Sequence, residues 1–186
     1  MHILAYPSAL LILTLINCFN MGCSNFDQSI SGEDITVLRG HIAWQDDASI
    51  KQSYAFVWKQ SPNFIKIHMP VLGGLGYIIL VANEHSASIS SPTKQEEYTS
   101  LESLMASNFG WSVSYTDIRH WILGLRAPGS PAQHKFDNKN RLIQITNPYS
   151  TVDLLDYCLI DGHQRPGKLV ISSGQTKVEI YIDQWL

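Results

Sequence analysis

Apolar and polar residues alternate with a period of two in several short stretches of this chain, which predicts strands with one face turned to a core. In residues 53–60, Tyr54, Phe56 and Trp58 fall on one side and Ala55 and Val57 on the other, and Ile65, Ile67 and Met69 repeat the pattern in the next stretch. Residues 77–81 are a continuous apolar run. Between these two lies Pro70-Val71-Leu72-Gly73-Gly74, whose Pro and Gly content predicts a hairpin loop. Further strands are expected at 142–146, 152–159, 169–172 and 178–182, the last with Val178, Ile180 and Ile182 on one face.

A period of 3.6 appears only in the middle of the chain. Thr99-x-x-Glu102 has a capping-box pattern ahead of Leu101, Leu104, Met105 and Phe109. Ser114-x-x-Asp117 caps a second stretch, with Ile118, Trp121, Ile122 and Leu125 as its apolar stripe and Gly124 at its end. The order strands, two short helices, strands predicts a mainly β fold with a helical insertion. That order implies an antiparallel sheet, and a strongly curved one covered by the helices fits it. The length, 186 residues, suits one domain with one core.

Composition narrows the function classes. The chain is 45% hydrophobic and only 16% charged, with a net charge of -3 and no Lys/Arg cluster, so nucleic acid is not an expected partner. Three cysteines, Cys18, Cys23 and Cys158, contain no C-x-x-C pair and exclude a disulfide framework. The histidines never fall at H-x-H or H-x-x-x-H spacing, so neither a metal site nor a cofactor is expected. Gly162-His-Gln-Arg-Pro-Gly-Lys-Leu169 has the outline of a phosphate loop but lacks its Ser or Thr and runs into a strand, and it reads as a turn. Gly73-Gly74-Leu75-Gly76 likewise reads as turn glycines, and Asp46-Asp47 and Glu96-Glu97 as solvated charge. Cys158 sits in an apolar strand pattern and is expected to be a buried, inert thiol.

The first residues carry an address. Residues 10–16 read Leu-Leu-Ile-Leu-Thr-Leu-Ile, too short to span a bilayer and of the length of an export signal. Asn20-Met21-Gly22-Cys23-Ser24 resembles a lipobox, in which a small residue precedes the cysteine that is acylated before the signal is removed. The expected organisation is a signal peptide over 1–22, an acylated Cys23 with a polar tether through 34, and a folded domain over 35–186. Ser24, where an Asp would resemble an inner-membrane retention signal, points to outer-membrane sorting. The eleven residues 24–34 reach at most about 36 to 40 Å.

Arg119-His-Trp121-Ile-Leu-Gly124-Leu125 with Pro128 after it resembles a Trp-x-x-Gly-x-Pro segment of the outer-membrane lipoprotein receptor family LolB. Asp137-Asn-Lys-Asn-Arg141-Leu142, the ending Val178-Glu-Ile-Tyr-Ile-Asp-Gln-Trp185 and Phe56-Val-Trp58-Lys-Gln60 resemble further segments of it, in order along the chain. The resemblance implies an unclosed antiparallel β-barrel with a helical lid and an apolar cavity. It also implies a monomeric, non-enzymatic receptor in the outer membrane, facing the periplasm. Such a receptor accepts lipoproteins from the carrier LolA and releases their acyl chains into outer-membrane phospholipid without nucleotide. The expected cavity lining is Phe56, Trp58, Ile67, Ile79, Ile118, Trp121 and Ile122, although the same periodicity would place them in a filled core. Leu72, with Val71, aligns with an exposed apolar loop residue resembling the family's membrane-delivery element. Arg39, Lys51, Lys59 and Lys66 are the basic candidates for docking an acidic carrier rim.

Two other classes remain open on the residues alone. One is a lipoprotein with a filled core that scaffolds an assembly. The other is a secreted hydrolase, whose nucleophile and base the sequence does not place. The N-terminal reading makes a direct prediction: Cys23→Ala yields a domain that folds normally and incorporates no labelled palmitate. Label retained in that variant would move the anchor to Cys18 or remove it.

Overall fold

The N-terminal alternation builds a meander. Strands β1 (Thr36–Gln45), β2 (Gln52–Gln60), β3 (Ile65–Val71), β4 (Gly76–Ala82), β5 (Ala87–Ser91) and β6 (Lys94–Tyr98) each pair antiparallel with their neighbour in sequence. The chain then forms helices α1 (Leu101–Phe109) and α2 (Tyr115–Trp121) before returning to strands. These are β7 (Gln133–Phe136), β8 (Leu142–Thr146), β9 (Thr151–Leu155), β12 (Lys168–Ser173) and β13 (Thr176–Trp185), with a separate ribbon of β10 (Cys158–Ile160) and β11 (His163–Arg165). A computed structural model describes residues 35–45, 52–71 and 76–186, within the compact unit Glu33–Leu186.

The main sheet has eleven strands in the order β6-β5-β4-β3-β2-β1-β13-β12-β9-β8-β7, antiparallel throughout. Its two edges, β6 and β7, do not pair with each other, so the curved sheet is an unclosed barrel with a helical insertion between its halves. The core runs along one face. Leu38, Phe56, Trp58, Ile65 and Leu80 from the first half meet Leu142, Ile145, Val152, Leu154, Leu169 and Ile171 from the second, under Leu101, Leu104, Ile118 and Trp121 of the helices.

Several local expectations shift. The capping box of α1 is Ser100 with Ser103, one residue later than Thr99 and Glu102: the Ser103 N–H donates to Ser100 Oγ at 3.2 Å, and the Ser100 N–H donates to Ser103 Oγ at 3.3 Å. Ser114 does cap α2, accepting from the Asp117 N–H at 2.9 Å. Leu125 is outside the buried stripe, 47% exposed, because Gly124 in the left-handed region turns the chain away after Ile122.

The apolar run over 152–159 is two elements, since Asp156 at φ +55° breaks it after β9. Cys158 therefore lies on the outlying ribbon and is exposed, not buried. Gly167, the second glycine of the apparent phosphate loop, packs backbone to backbone: its N–H donates to Leu155 O and Asp156 O, and a Cβ there would stand 2.7 Å from Asp156 O.

Gly40 is the tightest point of the sheet. Between Arg39↔Gln184 and Gly40↔Ile182 the register of β1 and β13 shifts by a bulge at Asp183, whose carboxylate reaches His41 Nδ1 at 3.3 Å. A Cβ at position 40 would lie 1.8 Å from Tyr181 O and 3.1 Å from the Phe56 ring. Gly40→Ala should therefore cost about 3 kcal/mol or more, read as a lowered urea midpoint. An unchanged midpoint would mean that β1 slides past β13 freely.

Candidate functional site

Because side chains alternate along a strand, one set of positions on β1 to β4 and β13 turns to the concave side of the sheet. There they enclose a pocket of about 170 Å³. Its sheet wall is Ile42 and Trp44 of β1, Tyr54, Phe56 and Trp58 of β2, Ile65, Ile67 and Met69 of β3, Ile78 and Leu80 of β4, and Val178 and Ile180 of β13. Leu101, Met105 and Phe109 of α1, Trp111 and Val113 of the connection, and Ile118 of α2 close it from above. All these lining side chains are aliphatic, thioether or aromatic, so the pocket suits an uncharged apolar occupant. Phe109 meets Trp44 edge to face at 5.8 Å, and Trp44 leans on Tyr54 at 6.3 Å.

The expected lining residues divide. Phe56, Trp58, Ile67 and Ile118 are on the pocket wall. Ile79 is not, because Ile78 and Leu80 take the inward positions of β4 and leave Ile79 on the convex face. Trp121 and Ile122, at 2% and 0% exposure, lie at the end of α2 in the filled part of the core. The lining from β1, Ile42 and Trp44, carries its own alternation in the sequence, and Met105 and Phe109 fall on the apolar face expected of α1. Trp111 and Val113 follow a helix end and carry no periodicity that would mark them.

The other named residues sit apart from the pocket. Val71 ends β3, 36% exposed, opposite Gly76 across the hairpin. Arg39 is exposed on the convex face, where Lys59 and Lys66 stand directly opposite each other on β2 and β3. Cys23, Lys51 and Leu72 lie outside the described residues.

A buried polar relay fixes α2 over the pocket. Trp58 Nε1 donates to Gln60 Oε1 at 3.0 Å, and Gln60 Nε2 donates to the Arg119 carbonyl at 3.1 Å. Arg119 Nη1 and the Tyr115 hydroxyl both donate to the Pro62 carbonyl, at 2.7 and 3.2 Å. Burial pushes the Tyr115 hydroxyl above its ordinary pKa, against the pull of the Arg119 guanidinium, and keeps it a donor. Gln60 is 4% exposed, so this relay replaces water that neither element could reach.

A family model for "Outer membrane lipoprotein LolB" matches residues 37–185, most of the chain and all of the main sheet except Thr36. The chain belongs to the LolB family. Among LolB relatives, an outer-membrane lipoprotein LolB of Nitrosococcus oceani is 29% identical over 130 residues, 69% of this chain. The chain spans only 65% of that relative's length. A LolB of Stutzerimonas stutzeri is 23% identical over 94% of this chain and 91% of its own. The fold is also that of a LolA superfamily protein from Nitrosomonas europaea, with a TM-score of 0.57 at 10% identity over 82% of this chain and 86% of that one.

The relay sets a prediction for the LolB pocket. Gln60→Leu strands the Trp58 N–H and the Arg119 carbonyl in an apolar setting, and should lower stability by about 2 kcal/mol in equilibrium unfolding. A loss no larger than that of an exposed-site substitution would show that α2 is held by packing alone.

Proposed function

We propose that this LolB-family protein takes the acyl chains of lipoproteins from the carrier LolA into its pocket and passes them to the outer membrane. Cys23 is its lipid anchor, and the hairpin between β3 and β4 is its point of release. The observation that carries this reading is the continuity of the pocket with that hairpin. Met69 and Ile78 line the pocket, are paired across β3 and β4, and stand two residues from Val71 and Gly76, where the strands run into the tip. A chain leaving over Met69 and Ile78 therefore arrives at Val71 and Gly76, the described ends of the two strands.

Free energy sets the direction. Each methylene exposed to water costs about 0.8 kcal/mol, so acyl chains must move between apolar hosts, and a bilayer outcompetes a pocket of this size. No bond is made or broken in such a transfer. The family assignment agrees with it.

The test is transfer in vitro from loaded LolA through this protein to liposomes. Leu72→Asp should fold, accept cargo and release it at a rate reduced about tenfold, because an ionised tip does not enter the acyl boundary. A fluorescent fatty acid should bind the wild-type pocket and be displaced by cargo. Failure of the probe to bind would leave the pocket without an acyl role and favour a scaffold with a filled interior.

A further inference from the structure

Strand direction sorts the connections of the main sheet onto two ends. The chain turns from β1 into β2 after Gln45, β3 runs back beside β2 to bring Val71 to that same end, and β13 begins there with Val178 opposite Trp44. Ser172 pairs with both Lys177 and Thr151, and Thr151 pairs with Thr146, so the β12–β13 and β8–β9 turns lie at this end too. The β3–β4 hairpin of the proposed release therefore shares its end of the sheet with residues 147–150. In the strand order β3 and β9 are five spacings apart, about 24 Å along the curve.

The two ends differ in charge. At the shared end, residues 72–75, 92–93, 147–150 and 174–175 contain no Asp, Glu, Lys or Arg, and the charges Asp46, Asp47 and Lys51 belong to the β1–β2 connection alone. At the other end, residues 61–64 apart, the connections carry Glu84, Asp137, Lys139, Arg141 and Asp156. On the neutral rim Tyr149 is 84% exposed, more than any other large hydrophobic side chain among the described residues. Its turn is fixed by side chains. Asn147 Oδ1 accepts from the Tyr149 N–H at 2.9 Å and from the Ser150 N–H at 2.8 Å, Asn147 Nδ2 donates to Ser150 Oγ at 2.9 Å, and Ser173 Oγ donates to the Tyr149 carbonyl at 3.0 Å. None of these bonds uses the Tyr149 ring, so the shape of the turn gives no reason for an aromatic there. An aromatic body with a hydroxyl tip, set above Ser150, Thr151, Ser172 and Ser173, suits the boundary between lipid headgroups and acyl chains, where Tyr is enriched.

We propose that Tyr149 is a second membrane contact, seated among the headgroups of the bilayer that the β3–β4 hairpin enters. This rests on the release reading for the hairpin and adds a point on the other half of the sheet. One insertion point leaves a domain free to swing, whereas two points about 24 Å apart along the sheet hold this end against the bilayer. The proposed anchor permits it: the chain from Cys23 to Ile35 extends to about 40 Å at most, and β1, which it enters at the opposite end, is about 33 Å long. With no charge on the turn, the hold comes from the ring and is insensitive to salt.

The experiment uses the acylated protein in liposomes containing nitroxide-labelled lipid. Cys158, a free and exposed thiol, is replaced in Cys158→Ser, and Tyr149→Cys carries a nitrobenzoxadiazole dye. That dye should shift to the blue and be quenched by the nitroxide, whereas the same dye on Gln164→Cys, exposed on the ribbon at the other end, should remain in water. Because a dye is itself apolar, unlabelled Tyr149→Ser gives a second readout. It should keep the wild-type urea midpoint, take cargo from LolA normally and release it to liposomes about fivefold more slowly, with the rate restored by Tyr149→Trp. The proposal is overturned if the dye at 149 stays unquenched, if the dye at 164 is quenched equally, or if Tyr149→Ser releases cargo at the wild-type rate. Slower uptake from LolA with normal release would also overturn it and give Tyr149 to the carrier. If Leu72→Asp impairs release while the dye at 149 stays in water, the release reading survives and this one fails. If no cargo is transferred at all, the release reading fails and the quenching alone decides this one.

Discussion

The antiparallel pairing of β1 with β13 is the contact on which the molecule depends. Every other pairing in the main sheet joins strands that follow one another, or nearly so, along the chain. This one joins the first strand to the last and unites two meanders whose only other described connection runs through α1 and α2. It also brings Ile42 opposite Ile180 and Trp44 opposite Val178, so the pocket wall is shared by both halves. The entropy of closing so long a loop is met by one long ladder with a bulge between Arg39 and Gly40, and Gly40 is where that ladder has no room for a side chain.

The pocket follows from a mismatch of lengths. β1 and β13 are ten residues each, roughly 33 Å, whereas α1 and α2 are nine and seven residues, about 14 and 11 Å. Two helices this short cover the concave face without filling it. They are also held differently. α2 is tied to the β2–β3 turn through Gln60, Arg119, Tyr115 and Pro62, while α1 rests on the edge hairpin β5–β6, with Asn108 donating to the Tyr98 hydroxyl.

The alternation of faces then separates the two kinds of surface chemistry. Inward positions give an uncharged chamber walled by β1 to β4 and β13 and closed by the helices. Outward positions on β12 and β13 carry a network of paired charges. In that network Lys168 Nζ reaches Glu179, the Tyr181 hydroxyl and the Tyr181 ring, and Tyr181 stacks on His41 at 4.4 Å. The Lys168 pKa is raised by the Tyr181 hydroxyl and by Glu179, so its ammonium stays charged across the neutral range.

Much of this was legible in residue order. Period-two alternation in residues 53–60 and 178–182 located β2 and β13, the apolar stretch 142–146 located β8, and Ser114 with Asp117 located the start of α2, because strand faces and helix caps are local chemistry. The likeness of short segments to LolB named the family. Tertiary structure decided the rest. Ile78 and Ile79 are equivalent in an unbroken apolar run, and only pairing with β3 turned Ile79 outward. Cys158 looked buried until the left-handed Asp156 threw it onto a separate ribbon. Whether Trp121 and Ile122 lined a space or filled one depended on where a short helix stopped, since periodicity gives the direction of a side chain and only packing gives what lies in front of it.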